Sequence, residues 1–376
     1  MEFGLCLNLF AKFYSLHIYG NLTMKKSSII SADDQSLWHQ YLSRGQINDI
    51  YFLPEYARLW DAIDGGRSYL FAYSDSDSYY IYPFRRCCLS QVPNLVDFDD
   101  WYDIKSDYGY GGPLIYHGGK INQAEFIDSA VRKFDEYCTS NNIVCEFCRF
   151  HPLFGNAQTV EKQYSPIFCN KTAWVNLELP IDKIRAQLRR SWKYGVNKAE
   201  KSGVVIRIGK SLSDIHTFCD IYISAMEMVQ ADSYYFFSPE FFIDTIEKLS
   251  GNVVIFIADY LGEPVAASMF LHRGDYCHYH FGGQIPQQSL APHKLLMWKA
   301  IEWAKDRGYL KLHLGGGYGG SDNDSLMFFK TGFTKLRADF FISKRVHNTE
   351  IYHKACEKRH VQAGDLQGFF PAYRKL

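Results

Sequence analysis

An apolar run at residues 253–258 turns at Gly262-Glu263-Pro264 into residues 265–272, then at Arg273-Gly274-Asp275 into residues 276–281. This pattern predicts a three-stranded antiparallel meander. The period then changes: Leu296, Ala300, Trp303 and Ala304 recur at helical spacing behind Pro292, which as a first-turn residue gives up an N–H that no helix would use. Gly308 ends that helix, and Leu312-His313-Leu314 and residues 336–342 predict two further strands. Both strand–helix junctions open on glycine, at Tyr279-His280-Phe281-Gly282-Gly283 and at Gly315-Gly316-Gly317. Substrate is expected to enter there, with Tyr279 and His280 hydrogen-bonding to it and Gly316 letting backbone approach it closely.

The first half repeats this order. Residues 69–73 and 79–84 flank Ser74-Asp75-Ser76-Asp77-Ser78 as a hairpin; Tyr110-Gly111-Gly112 precedes a helical pattern at 122–139, and a strand follows at 143–150. An aromatic-Gly-Gly, helix, strand sequence occurring twice predicts two related units, and 376 residues are enough for two cores. The expected boundaries are an extension with a first helix at 1–44, units at 45–165 and 172–345, and a tail at 346–376. The two sheets are expected to meet face to face around a cleft.

The segment from about 172 to 345 resembles the FemA/FemB/FemX group of the GNAT acyltransferase superfamily, also described as having a BioF2-like acetyltransferase domain. The resemblance rests on Leu188-Arg189-Arg190 running to Asn197–Val204, on the Ala291-Pro292 helix with Leu295-Leu296-Met297-Trp298 and Ile301-Glu302-Trp303-Ala304, and on Ser325–Phe333. It implies an α/β (α+β) fold of tandem GNAT-like domains, each a mixed, mainly antiparallel sheet flanked by helices. It implies an acyl- or aminoacyl-transferase acting on an amine of a cell-envelope precursor. Acyl-CoA or aminoacyl-tRNA would be the co-substrate, with no permanently bound cofactor. By the same resemblance Lys330, set in Phe328-Phe329-Lys330-Thr331-Gly332-Phe333, is the functional lysine that meets the developing oxyanion. Asp107, in Asp107-Tyr108-Gly109-Tyr110-Gly111-Gly112, would orient or deprotonate the acceptor amine, with Tyr108 hydrogen-bonding to sugar or peptide. Arg189 or Arg190 would grip substrate phosphate, a guanidinium fork matching two phosphate oxygens.

Other features narrow the choice. Lys+Arg and Asp+Glu are equal at 41, so no global field draws the chain to DNA. The basic helix expected at 182–201 holds seven Lys and Arg against two acids; it is either a solvated face or a phosphate contact. Ten scattered cysteines and no evident secretion signal favour reduced thiols in a cytoplasm; Met24 is an alternative start. Expected partners are a nucleotide- or lipid-linked saccharide precursor, tRNA, and a membrane surface touched peripherally. Cys145-x-x-Cys148 has metal spacing but would place its sulfurs on opposite strand faces. His278 and His280 share a face without an evident third ligand, so no metal is expected. In the slot where ordinary GNAT enzymes carry a pyrophosphate loop, residues 284–292 show no such signature, and prolines at 286 and 292 remove amide donors. A non-catalytic saccharide-binding protein with the same fold is the alternative.

Overall fold

The computed structural model describes residues 25–285, 290–318, 324–364 and 368–375. Thirteen strands form one sheet: β1 (Lys26–Ser31), β2 (Arg67–Asp75), β3 (Ser78–Cys88), β4 (Tyr102–Lys105), β5 (Leu114–Tyr116), β6 (Ile143–Arg149), β7 (Ile167–Asn176), β8 (Val205–Gly209), β9 (Val253–Tyr260), β10 (Glu263–Arg273), β11 (Tyr276–Gln284), β12 (Lys311–Gly315) and β13 (Arg337–Val346). Their order is β1-β2-β3-β4-β6-β13-β7-β12-β11-β10-β9-β8, with β5 beside β3.

Two similar halves emerge from that order. In each, four antiparallel strands (β1 to β4; β8 to β11) lead to a parallel neighbour (β6; β12), which pairs antiparallel with a closing strand (β13; β7). Helix Gln123–Ser140 crosses from β4 to β6, and helix Pro292–Asp306 from β11 to β12. Both buried faces follow the predicted periodicity: Leu296, Ala300 and Ala304 are buried, as are Ala130, Phe134 and Cys138. Pro292 occupies the first turn as expected.

The sheets do not meet face to face. They join edge to edge through β13, which pairs with β7 from Arg337↔Ala173 and with β6 from Ile342↔Arg149. The strand closing the first half is therefore supplied by the chain that has completed the second. Edge pairing satisfies both rows of backbone groups that two separate sheets would leave open. The segment before residue 45 contributes edge strand β1, and helix Thr349–Lys358 with Phe370 and Tyr373 returns to pack around Val144 and Cys145 of β6. Cys145 belongs to that core while Cys148 faces another, so the two sulfurs lie on opposite sides of the sheet. A further core spans both halves, placing Trp38, Tyr56 and Trp60 with Phe237, Phe241 and Phe281.

Candidate active site

A cleft of about 630 Å³ opens where the halves meet. The first half lines it with Tyr51, Tyr108, Tyr110 and Arg149, and the second with Tyr279, His280, His313, Gly315, Gly316 and Lys330. Of the residues expected from sequence, Lys330, Tyr108, Tyr279, His280 and Gly316 thus line one cleft.

Lys330 is the last residue of the short helix Ser325–Lys330, capped by the Asp324 carboxylate on the Leu326 and Met327 N–H groups. Its ammonium donates to the Gly316 carbonyl at 2.7 Å and lies 5.6 Å from the centroid of the Tyr279 ring. Burial pushes its pKa down to about 7, only partly countered by Asp324. Two glycines make this position possible. Gly315 has φ +80° and a Cβ there would sit 3.1 Å from the Lys330 nitrogen; a Cβ at Gly332 would enter the Trp192 indole at 2.1 Å.

Tyr108 is fixed by stacking on Trp60 at 4.6 Å and by its backbone carbonyl, which accepts from Tyr56 Oη at 2.8 Å. His280 rests against Phe281 at 4.2 Å, and burial lowers its pKa to about 3. His313, from β12, faces Tyr110 at 4.9 Å and is likewise held neutral by burial, then by His278, His151 and Lys330. The Nε2 atoms of His280 and His313 have no hydrogen-bond partner among the described residues. Sequence reading passed over His313 because Leu312-His313-Leu314 has an ordinary strand pattern.

Asp107 and Arg190 lie outside the lining of this cleft. Asp107 does not line the cleft: it is buried in an ion pair with Arg85, whose guanidinium also meets Asp64 at 2.8 Å and Asp61 at 3.2 Å. Its burial, with Asp61 and Asp64 nearby, outweighs Arg85 and raises its pKa to about 6. Its neighbour Tyr108 reaches the cleft instead, so Asp107 acts as an anchor of that loop. Arg190 is exposed at the start of helix Arg190–Lys201, whereas Arg189 lines an adjoining pocket. The basic stretch is two helices, Ile181–Gln187 and Arg190–Lys201, broken at Leu188-Arg189.

His278 does acquire neighbours of metal-ligand type, which sequence could not show. Asp49, His151 and His278 are buried with ligand atoms within 4.8 Å of one another. The hydrogen bonding favours a polar lock between the halves over a metal centre. His278 Nε2 lies 2.7 Å from Asp49 Oδ2, and the Leu153 N–H donates to His151 Nδ1 at 3.2 Å. That bond assigns the proton of the neutral His151 ring to Nε2, the atom facing Asp49 at 3.8 Å. Metal-bound histidines instead donate from their second nitrogen. His280 is outside this cluster.

Residues 183–324 match the acetyltransferase (GNAT) domain family. No curated protein matches the sequence. Among solved structures, FemX superposes with a TM-score of 0.65 at 12% identity, over 88% of this chain and 99% of its own. L-PGS from Bacillus licheniformis gives 0.52 at 13% identity, over 84% and 92%. A conserved protein of unknown function from Bacteroides thetaiotaomicron gives 0.52 at 9%, over 86% and 100%. Residues 183–324 therefore carry the match to the acetyltransferase (GNAT) domain, and the chain as a whole shares the fold of FemX.

Proposed function

We propose that this protein transfers an acyl or aminoacyl group to an amine on a cell-envelope precursor, a saccharide or peptidoglycan unit carried on a nucleotide or lipid pyrophosphate. The observation that carries this reading is Lys330: a buried cation held on a backbone carbonyl at the wall of a cleft that both halves line. The acceptor nitrogen attacks the donor carbonyl, and the carbonyl oxygen gains negative charge opposite the Lys330 ammonium. The amine proton ends on the departing thiol or hydroxyl; His280 and His313, held neutral by burial and too weakly basic to keep it, offer ring nitrogens that can accept a hydrogen bond in the cleft. Collapse of the tetrahedral intermediate then expels the thiol of coenzyme A or the hydroxyl of tRNA. Tyr51, Tyr108, Tyr110 and Tyr279 offer aromatic faces and hydroxyls suited to a sugar or peptide. None of the described helices is long and apolar enough to cross a membrane. Action in the cytoplasm, with lipid-linked acceptors met at a membrane surface, is part of this proposal.

The donor follows from the helix Pro292–Asp306. Its first residue lacks an N–H and Ala291 before it is left-handed at φ 55°, while residues 286–289 lie outside the described residues. The described part of this end offers few amides for a pyrophosphate. Acetyl-CoA is accordingly expected to bind no tighter than roughly high micromolar, about 5–6 kcal/mol. Calorimetry showing low-micromolar binding would move the assignment to an ordinary acetyl-CoA-dependent enzyme.

Mass spectrometry of nucleotide- and lipid-linked precursors incubated with the protein and either acyl-CoA or aminoacyl-tRNA tests the reaction itself. A mass increment of the acyl or aminoacyl group on the acceptor is expected. Saccharide binding without any increment would favour a binding protein.

A further inference from the structure

On the reverse of the sheet from the cleft, β2 and β3 place Arg67 directly opposite Arg86. Residues paired in this way on two antiparallel strands point to one face, and like charges there repel. Tyr69 shares the face two residues along β2, and Tyr102 of β4 shares it as the partner of Cys88 on β3. Both tyrosines pack with the core under helix Gln123–Ser140, whereas Tyr108 belongs to the core on the other side of the sheet. Arg86 is half-buried. Its guanidinium lies 4.9 Å from the centroid of the Tyr69 ring and 4.6 Å from that of Tyr102, and it donates to Tyr69 Oη at 3.3 Å. Arg67 is exposed. The two arginines line a pocket of about 350 Å³. Among the described residues that lining contains no carboxylate, and neither arginine forms an ion pair.

The preceding residue shows how this fold treats an arginine that serves structure alone. Arg85, on the opposite face of β3, is surrounded by Asp61, Asp64 and Asp107. Arg86 instead has two aromatic rings and a second arginine. Rings that hold a guanidinium by its faces leave its N–H edge free to donate, and two such cations side by side form a charge set that an anion completes. We propose that Arg67 and Arg86 form a binding site for a phosphate monoester. That class carries close to two negative charges and three acceptor oxygens, enough to engage two guanidinium groups at once, whereas one fork already matches a carboxylate. The phosphate is carried either by a soluble molecule or by a lipid headgroup. The binding does not depend on the transfer reaction above.

Calorimetry at low ionic strength with glycerol phosphate, and with acetate as the carboxylate control, tests this. Glycerol phosphate is expected to bind and acetate is not. Arg67→Gln should weaken glycerol phosphate about tenfold or more, the loss of one hydrogen-bonded charge. The unliganded variant should melt no lower than the wild type, because an exposed side chain without an ion pair is removed and a like-charge opposition is relieved. Arg67→Lys keeps the charge but gives up the planar fork, and should recover part of the affinity. Arg86→Gln should weaken binding as much; if it unfolds through loss of its two ring contacts, Arg67→Gln carries the test alone. Sedimentation with vesicles of equimolar phosphatidylcholine and phosphatidic acid, against phosphatidylcholine alone, separates the two sources. Sedimentation that requires phosphatidic acid and is lost in Arg67→Gln assigns a lipid headgroup, and binding of glycerol phosphate without it assigns a soluble ligand. Acetate binding as tightly as glycerol phosphate, no binding of either phosphate probe, or affinities unchanged in Arg67→Gln, overturns the site.

Discussion

Lys330→Met is expected to lose turnover by about 100- to 1000-fold, roughly 3–4 kcal/mol of transition-state stabilisation, while leaving acceptor binding nearly intact. The methionine keeps the apolar stem against Tyr279 and removes the ammonium from the cleft. The same variant should be no less stable than the wild type at neutral pH. Lys330 titrates near 7 when folded and near 10.4 when unfolded. Between those values the unfolded chain binds the extra proton, so wild-type stability rises with pH across that window and carries the full penalty below it. The variant lacks this penalty, and its melting temperature at pH 7 should exceed the wild type by a few degrees, the difference closing above about pH 10. Activity has the opposite dependence: an oxyanion partner must be charged, so turnover should fall as pH rises through about 7. A variant with wild-type turnover, or one that melts well below the wild type at neutral pH, would remove the oxyanion role from Lys330.

The second half was readable because its signals are local. Turns at 261–262 and 274–275 separate apolar runs, and Pro292 and Gly308 punctuate the helix between β11 and β12, so strand count and direction follow from neighbours in the chain. The joining of the halves was not readable, since it pairs residue 146 with 345 and residue 173 with 337. Nothing in the periodicity of β13 distinguishes an edge strand from one shared by two units, which is why a face-to-face arrangement looked reasonable. β4 escaped notice for a different reason: at four residues, Tyr102-Asp103-Ile104-Lys105, it is too short to show a period.

The site divides along the same line. Residues flanking glycine-rich junctions, such as Tyr279, His280, Gly316 and Lys330, could be singled out because the backbone there must turn toward an opening. Asp107 misled for a physical reason as well. A carboxylate beside an aromatic-glycine loop reads as an acceptor contact until Arg85, twenty-two positions earlier, is seen to reach it.

That ion pair carries the other large effect. Arg85→Ala is expected to cost about 3–5 kcal/mol of stability, the range for removing one partner of a buried charge set. Arg85 is fully buried on β3 and holds Asp61 and Asp64 of helix Pro54–Asp64 together with Asp107. Without it Asp64 keeps Lys105 at 2.9 Å and the Tyr234 hydroxyl at 3.0 Å, and Asp61 keeps the Ser68 hydroxyl at 2.6 Å, while the buried Asp107 loses its Arg85 partner. The damage should reach the cleft, because the next residue after Asp107 is Tyr108. Asp107→Asn separates the anchor from any chemical role. The amide keeps the size of the carboxyl and an acceptor oxygen toward Arg85 while removing a charge that burial disfavours, so the fold should persist and turnover should stay within about tenfold of wild type, a margin below that of removing a working general base. Its pH dependence provides the second check. Asp107 titrates near 6 when folded and near 3.9 when unfolded, so the folded chain binds the extra proton between those values and wild-type stability falls as pH climbs through that window. Asp107→Asn should flatten that slope in urea melts at pH 4 to 6. Loss of turnover by a hundredfold or more in a variant that remains folded would return Asp107 to the chemistry.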